Sequence, residues 1–343
     1  MATQLQGTGA EVVGVDLSEA SLSIVRERAA ARGLENITLV RGRLEDLPSL
    51  GLDPFDYVVS VGVLHHLPSP AAGLAAIRSV LKPGGGLAIM VYGQYGRTAI
   101  YQLQTLLRLV APDSLPAAER IRIARDIATG LHPDHWAQLG KGSWMGEVDL
   151  HGDAGLFDVL LHSTDRAYTV PEVYAWLAGA GLRMAEFVVP TLYNPDLYGT
   201  KTDFSGFTEM ERQAAAELLN GRIQKHTFFA TPEDSEPPAP PALDDESAVP
   251  TWLTYDVEGI IRRQLNERPE LDLEFEGLRF RLTLDPLRRA FLKRVDDKTP
   301  LGTIMAELSA KYPSTKPAEL TRKWCDLYQG LRVFNLLGLF PAR

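Results

Sequence analysis

The sequence predicts an α/β fold: a mostly parallel sheet covered by helices on both faces, with a helical insertion and a small, mainly helical C-terminal domain. Three observations carry this. Between Ala10 and Gly93, short apolar runs alternate with helical stretches, the pattern of a doubly covered parallel sheet. The rhythm breaks at Gly96 and returns at Tyr168. A proline- and acid-rich stretch, 232–250, then reads as an extended, solvated linker to a further unit with its own apolar pattern, Thr251 to Arg343.

The elements follow in order. Glu11 to Asp16 is an apolar run ending in an acid, and Ser18 is placed to cap a helix that runs to Arg32 and ends at Gly33. Asn36 to Gly42 and Phe55 to Gly62 are strands. Ala71 to Leu81 is helical, Lys82 to Gly86 stops it, and Gly86 to Gly93 is a fourth strand. Arg97 to Val110 and Ala117 to Gly130 are helical, whereas His132 to His162 has no clear period, so 96–162 reads as an insertion over the site. Thr169 caps a helix to Ala178, Leu182 to Val189 is a strand, Thr208 to Leu219 a helix, and Lys225 to Thr231 an edge strand. The domains expected are thus 1–231 and 251–343. In the second, Pro286 to Val295, Leu301 to Tyr312 and Ala318 to Leu337 read as helices, Thr299 as a cap, and Phe275 to Leu284 as one or two strands.

Composition narrows the function. The net charge of -9 argues against nucleic acid as the main partner, because phosphate binding needs a basic face. One cysteine, Cys325, excludes an intrachain disulfide framework and favours a reducing, cytoplasmic setting. No apolar run is long enough for a membrane span, and MATQLQGTGA has no signal-peptide pattern.

Several residues bear chemistry. An acid at a strand's carboxyl end, such as Asp16, accepts the two ribose hydroxyls of a nucleotide, or it caps the following helix; both readings stand. His65 and His66 are candidate proton acceptors, since imidazole titrates near ~6.5, and packing against the sheet is the ordinary alternative for at least one. His132 to His135 (HPDH) hints at metal, but no histidine pair has the spacing of a helix-borne zinc site, and no metal is expected. Tyr92, Tyr95, Tyr101, Trp136 and Trp144 wall a pocket or fill the core beneath the insertion. Asp165 and Arg166 fall near the active face, or form a surface ion pair and cap.

The order of the segments VVGVD, ITLVRG, EDLP, FDYVVSVGVLHHLPSP and LKPGGGLAIMVYG resembles the class I S-adenosylmethionine-dependent methyltransferases of the small-molecule branch. The resemblance is close over residues 9–93 and looser from Tyr168 to Thr231. It implies a Rossmann-like sheet, S-adenosylmethionine as cofactor, and methyl transfer to a small-molecule acceptor. It implies that Asp16 holds the ribose, Leu17 lines the adenine, and Arg43 and Leu44 follow Gly42 in the adenine-edge loop. The family usually has an acid where Arg43 stands; Glu45 or Asp46 would substitute. Val61 and Gly62 would flank the methionine part, with His65 and His66 at the mouth. Pro83 and Gly84 to Gly86 are structural.

The family's fold begins with a strand and a glycine-rich loop whose N–H groups hold the cofactor's amino-acid end. Met1 to Gly9 match only the last turns of the helix after that loop, so the first strand and loop are expected to be missing. Two strand edges should then be unpaired and the chain poorly soluble. A start codon assigned too late would explain this, and an in-frame Gly-x-Gly-x-Gly loop is expected upstream. The C-terminal motif DDKTPLGTI resembles winged-helix-like modules akin to the peptide-binding chaperone domains of cofactor biosynthesis, implying a protein partner. The rival readings are a non-catalytic, degenerate methyltransferase fold that binds a protein, favoured by Arg43, and an NAD-type oxidoreductase, disfavoured by LKPGG and by the lack of a Tyr-x-x-x-Lys pair.

Overall fold

We describe a computed structural model covering residues 2–139, 141–235, 239–253, 255–267, 270–275 and 278–341. The valine-rich β1 (Val12–Asp16) pairs in parallel with β2 (Ile37–Arg41). β3 (Phe55–Val61) pairs in parallel with β4 (Leu81–Gly93), whose end also pairs with β5 (Ala167–Tyr168). β6 (Leu182–Phe187) and β7 (Lys225–Pro232) complete this sheet in the order β3-β4-β7-β6. β7 is therefore interior, not the edge strand that the sequence suggests. It runs antiparallel to both β4 and β6, and alternate residues His226, Phe228 and Ala230 are fully buried. Its period-two pattern records which face is buried and does not distinguish an edge strand from an interior one, so the sequence could not place it.

The sheet is in two pieces. Among the described residues β1 pairs only with β2, and β3 only with β4 on that side. Tyr57, Val59 and Val61 of β3 are accordingly exposed. The pieces are tied by the turn Leu44–Ser49, which packs on the helix Pro70–Ser79. Gly73 permits the close approach: a Cβ there would stand 2.4 Å from Leu67 and 3.1 Å from Leu44. Buried Leu87, Ile89 and Val91 of β4 meet Leu74 and Ile77 on one face, and Val173 and Leu177 belong to the same core.

Local capping explains the helix starts. Ser18 Oγ accepts from Ser21 N–H at 3.2 Å. Thr169 with Glu172, and Thr208 with Glu211, form reciprocal capping boxes. β4 begins at Leu81, earlier than the glycines suggest, because Leu81 pairs with Phe55 before the register shifts at Tyr57.

The insertion is more regular than its sequence. Helices Thr98–Val110, Ala117–Gly130 and Lys141–Leu156 precede a π-helical turn, Phe157–Leu161, around a core of Ile100, Leu103, Leu107 and Leu160. Gly152, at φ 60 and ψ -132, breaks the third helix, and this hides the period. The Trp144 side chain lies outside the described residues.

The second unit contains β8 (Val249–Trp252), a helix Tyr255–Glu267, the hairpin of β9 (Glu270–Phe275) with β10 (Leu278–Thr283), helices Pro286–Leu292, Leu301–Lys311 and Pro317–Arg332, and β11 (Leu337–Phe340), which pairs with β8. It begins inside the expected linker: Leu243 carbonyl accepts from Trp324 Nε1, and Ala248 is fully buried. Proline and acid patterning did not register these two apolar anchors; residues 236–238 lie outside the described residues. Thr299 is not the cap of its helix. Its N–H and hydroxyl bind Asp296 at 2.8 and 2.9 Å, because the Asp296 side chain competes for them first. The units touch where Thr191 N and Oγ1 donate to Val333 carbonyl and Arg332 pairs with Glu186.

Candidate active site

A cavity of 530 Å³ opens between β1 and β3. Asp16, Leu17, Arg43 and Leu44 line it from one side and Val59, Val63 and His66 from the other. Val61 and Gly62 are not on its wall, though both lie at the end of β3. Gly62 sits at φ 74, a left-handed conformation that turns the chain out of the strand.

Asp16 is not itself the helix cap. Ser18 caps the helix, and Asp16 Oδ1 accepts from Ser18 N–H at 2.7 Å. Arg43 is exposed and faces Glu45 at 3.7 Å, so an acid does stand at this edge of the cavity, one residue past Leu44.

The two histidines are placed very differently. His65 is 1 % exposed, and neither ring nitrogen makes a well-formed hydrogen bond among the described residues, the Met90 backbone being the nearest polar partner. Burial, then the neighbouring His66 and Arg97 charges, push its pKa down to about 3. It packs against His66 and Tyr92 at ring distances of 4.2 and 4.0 Å. His66 lines the cavity; its Nδ1 lies 3.0 Å from Thr164 carbonyl, and Nε2 lies 3.9 Å from Asp158 Oδ1. The His162 ring lies beside it, tilted by 37°, with ring centres 4.0 Å apart. Burial, then the His66 charge, hold the His162 pKa below its ordinary value.

Beneath this group lies a polar knot. Arg97 is 3 % exposed, lies 3.5 Å over the Tyr92 ring, and pairs with Asp165 at 3.4 Å. The buried Asp165 carboxylate also accepts from Tyr101 at 3.1 Å and Gln104 at 3.0 Å. Burial, with Arg97 opposing, pushes the Tyr92 hydroxyl up to about 12. Asp165 is thus interior, while Arg166 pairs with Glu172 at the surface at 3.7 Å. Tyr95 and Trp136 are exposed, and neither they nor Tyr92 and Tyr101 line the cavity. His132 and His135 lie away from the site in an exposed turn. Sequence reasoning missed Asp158, which only the π-helical turn brings to His66.

Residues 1–85 match the family model of a methyltransferase domain. The ubiquinone biosynthesis O-methyltransferase of Acinetobacter baumannii strain ACICU is 32% identical over 167 residues, which cover 44% of this chain and 69% of that protein. The chain belongs to the class I S-adenosylmethionine-dependent methyltransferases. An uncharacterised Synechococcus protein is 29% identical over 228 residues, 64% of this chain and 54% of its own length. The methyltransferase chain therefore spans about half of that relative. The structure of PKMT2 from Rickettsia typhi in complex with AdoHcy matches at a TM-score of 0.66 and 11% identity, covering 97% of this chain and 67% of that one, so the likeness of fold extends through the C-terminal unit. Among the described residues, no helix of the methyltransferase is long and apolar enough to cross a membrane.

Proposed function

We propose that the protein binds S-adenosylmethionine in the cavity between β1 and β3 and transfers its methyl group to a small-molecule acceptor under the insertion. The carrying observation is that Asp16 and His66 face one cavity from opposite walls. Asp16 would hold the ribose hydroxyls, Leu17 and Leu44 the adenine, and Glu45 the adenine amine in place of the acid that Arg43 replaces. Val61 and Gly62, off the cavity wall, take no part in holding the cofactor in this reading. The sulfonium supplies the activated methyl, so the chain's own residues chiefly orient the reactants. His66 is the proton acceptor in this reading: Nδ1 carries its hydrogen toward Thr164 carbonyl, leaving a lone pair on Nε2. His65, buried and held neutral, packs behind it.

Isothermal titration of S-adenosylhomocysteine tests the reading. We expect micromolar binding, weakened at least ~10-fold by Asp16→Ala, the scale of one charge-assisted hydrogen bond. No binding, or equal binding by the variant, overturns it. A non-catalytic, protein-binding fold is the second reading, favoured by Arg43 and by the two-piece sheet. A reducing, cytoplasmic home fits the lone Cys325, and we assign the C-terminal unit to docking a protein partner.

A further inference from the structure

We propose that His66, Asp158 and His162 bind one divalent transition-metal ion of the zinc class. Each offers one ligand atom, and the three atoms lie within 4.8 Å of one another. Hydrogen placement carries the argument. His66 Nδ1 is 3.0 Å from a carbonyl oxygen, so it must bear the ring hydrogen. On the neutral ring Nε2 is then a bare lone pair, and it faces a carboxylate oxygen at 3.9 Å. On that tautomer acceptor faces acceptor, beyond hydrogen-bond distance. A cation between them turns that repulsion into attraction.

The surroundings are those of a held ligand set. A metal-bound imidazole ordinarily donates its other N–H to a carbonyl, as His66 does to Thr164. The backbone is fixed as well: Thr164 Oγ1 donates to His66 carbonyl at 2.9 Å, and Arg166 N–H to His65 carbonyl at 3.1 Å. The Tyr92 hydroxyl donates to the other Asp158 oxygen at 3.4 Å. Two imidazoles and one carboxylate suit Zn²⁺, Co²⁺ or Ni²⁺ and leave positions open. Bonds of ~2.0–2.2 Å require the three atoms to close by roughly 1 Å. The Asp158 side chain, 52% exposed, is free to make that movement. His162 must give up a 3.2 Å bond that its Nδ1 accepts from Thr164 N–H, or turn its ring.

With the ion bound, His66 is a ligand and no longer the proton acceptor; an acceptor hydroxyl at an open position would be acidified by the ion and would release its proton to solvent water. That consequence rests on the methyl-transfer reading; ion binding does not. The test is calorimetric titration of Zn²⁺, and Co²⁺ absorption, on the full chain freed of metal with a chelator. Wild type should take up one ion per chain at micromolar affinity or better. Asp158→Asn and His162→Gln should each weaken it at least tenfold, and His132→Ala should leave it unchanged. Circular dichroism monitors folding, and Asp158→Asn, a surface change, decides the matter if His162→Gln unfolds. Absence of binding overturns the proposal. So does binding that survives both site variants, or is lost with His132→Ala. S-adenosylhomocysteine titrated into the same sample separates the two readings, since loss of nucleoside binding with ion binding intact refutes only methyl transfer.

Discussion

The buried knot at Arg97 and Asp165 permits a sharp prediction. Asp165→Leu removes hydrogen bonds from Arg97, Tyr101 and Gln104 and leaves the Arg97 guanidinium, 3 % exposed, without its counter-ion. Breaking a buried pair from one side costs about 3–5 kcal/mol, because the remaining charge stays desolvated. The Tyr92 face at 3.5 Å softens that cost, so the lower end is expected. At a slope of ~2–3 kcal/mol per molar urea, the midpoint should fall by about 1–2 M. Arg97→Met added to Asp165→Leu should recover ~2 kcal/mol, since no orphan charge remains, although Tyr101 still lacks an acceptor. Urea unfolding followed by tryptophan fluorescence reads both. A loss under ~1 kcal/mol for Asp165→Leu, or a double variant less stable than the single one, would refute the reasoning.

Two smaller predictions follow. A Cβ at Gly96 would stand 2.3 Å from Ile223 carbonyl oxygen, whereas one at Gly130 meets nothing within 4 Å; Gly96→Ala should therefore cost ~1–3 kcal/mol and Gly130→Ala nothing, by differential scanning calorimetry. Asp285 caps the helix Pro286–Leu292; burial opposes its charge, but Lys323 at 2.7 Å, the Arg288 N–H and the Arg288 guanidinium hold its pKa below the ordinary value. A depressed carboxylate stabilises above its unfolded pKa near ~3.9 and loses that contribution as pH falls through the folded value, so acid should weaken the C-terminal unit below about pH 4, and Asp285→Asn should flatten that dependence in urea titrations at stepped pH.

What was legible in the sequence was local. The strand ending at Asp16 and the caps at Ser18 and Thr169 depend on residues within a few positions, and they form as their patterns indicate. What was not legible was brought together by distance or irregularity. Asp158 reaches His66 across 92 positions of sequence through a π-helical turn that no period announces. The Arg97–Asp165 pair spans 68 residues, so Asp165 reads as a surface acid until its partner is known. β7 reads as an edge in the sequence, because its alternation of buried and half-buried positions tells which face is covered and not how many strands flank it. The apolar anchors at Leu243 and Ala248 were masked by the prolines around them.

The two-piece sheet bears on how the site works. Asp16 belongs to the β1–β2 piece, and His66 follows β3 in the other; the turn Leu44–Ser49 on the helix Pro70–Ser79 ties the pieces together. A ligand filling the cavity touches both walls, so its binding energy falls on the junction of the pieces as well as on the ligand itself. A nucleoside held at 100 times its dissociation constant should then stabilise the fold by about 2.7 kcal/mol. Hydrogen exchange distinguishes where that gain appears. Protection rising in both β1 and β3 marks a ligand that bridges the pieces, whereas protection confined to β1 would place it on Asp16 alone and leave His66 out of the reaction.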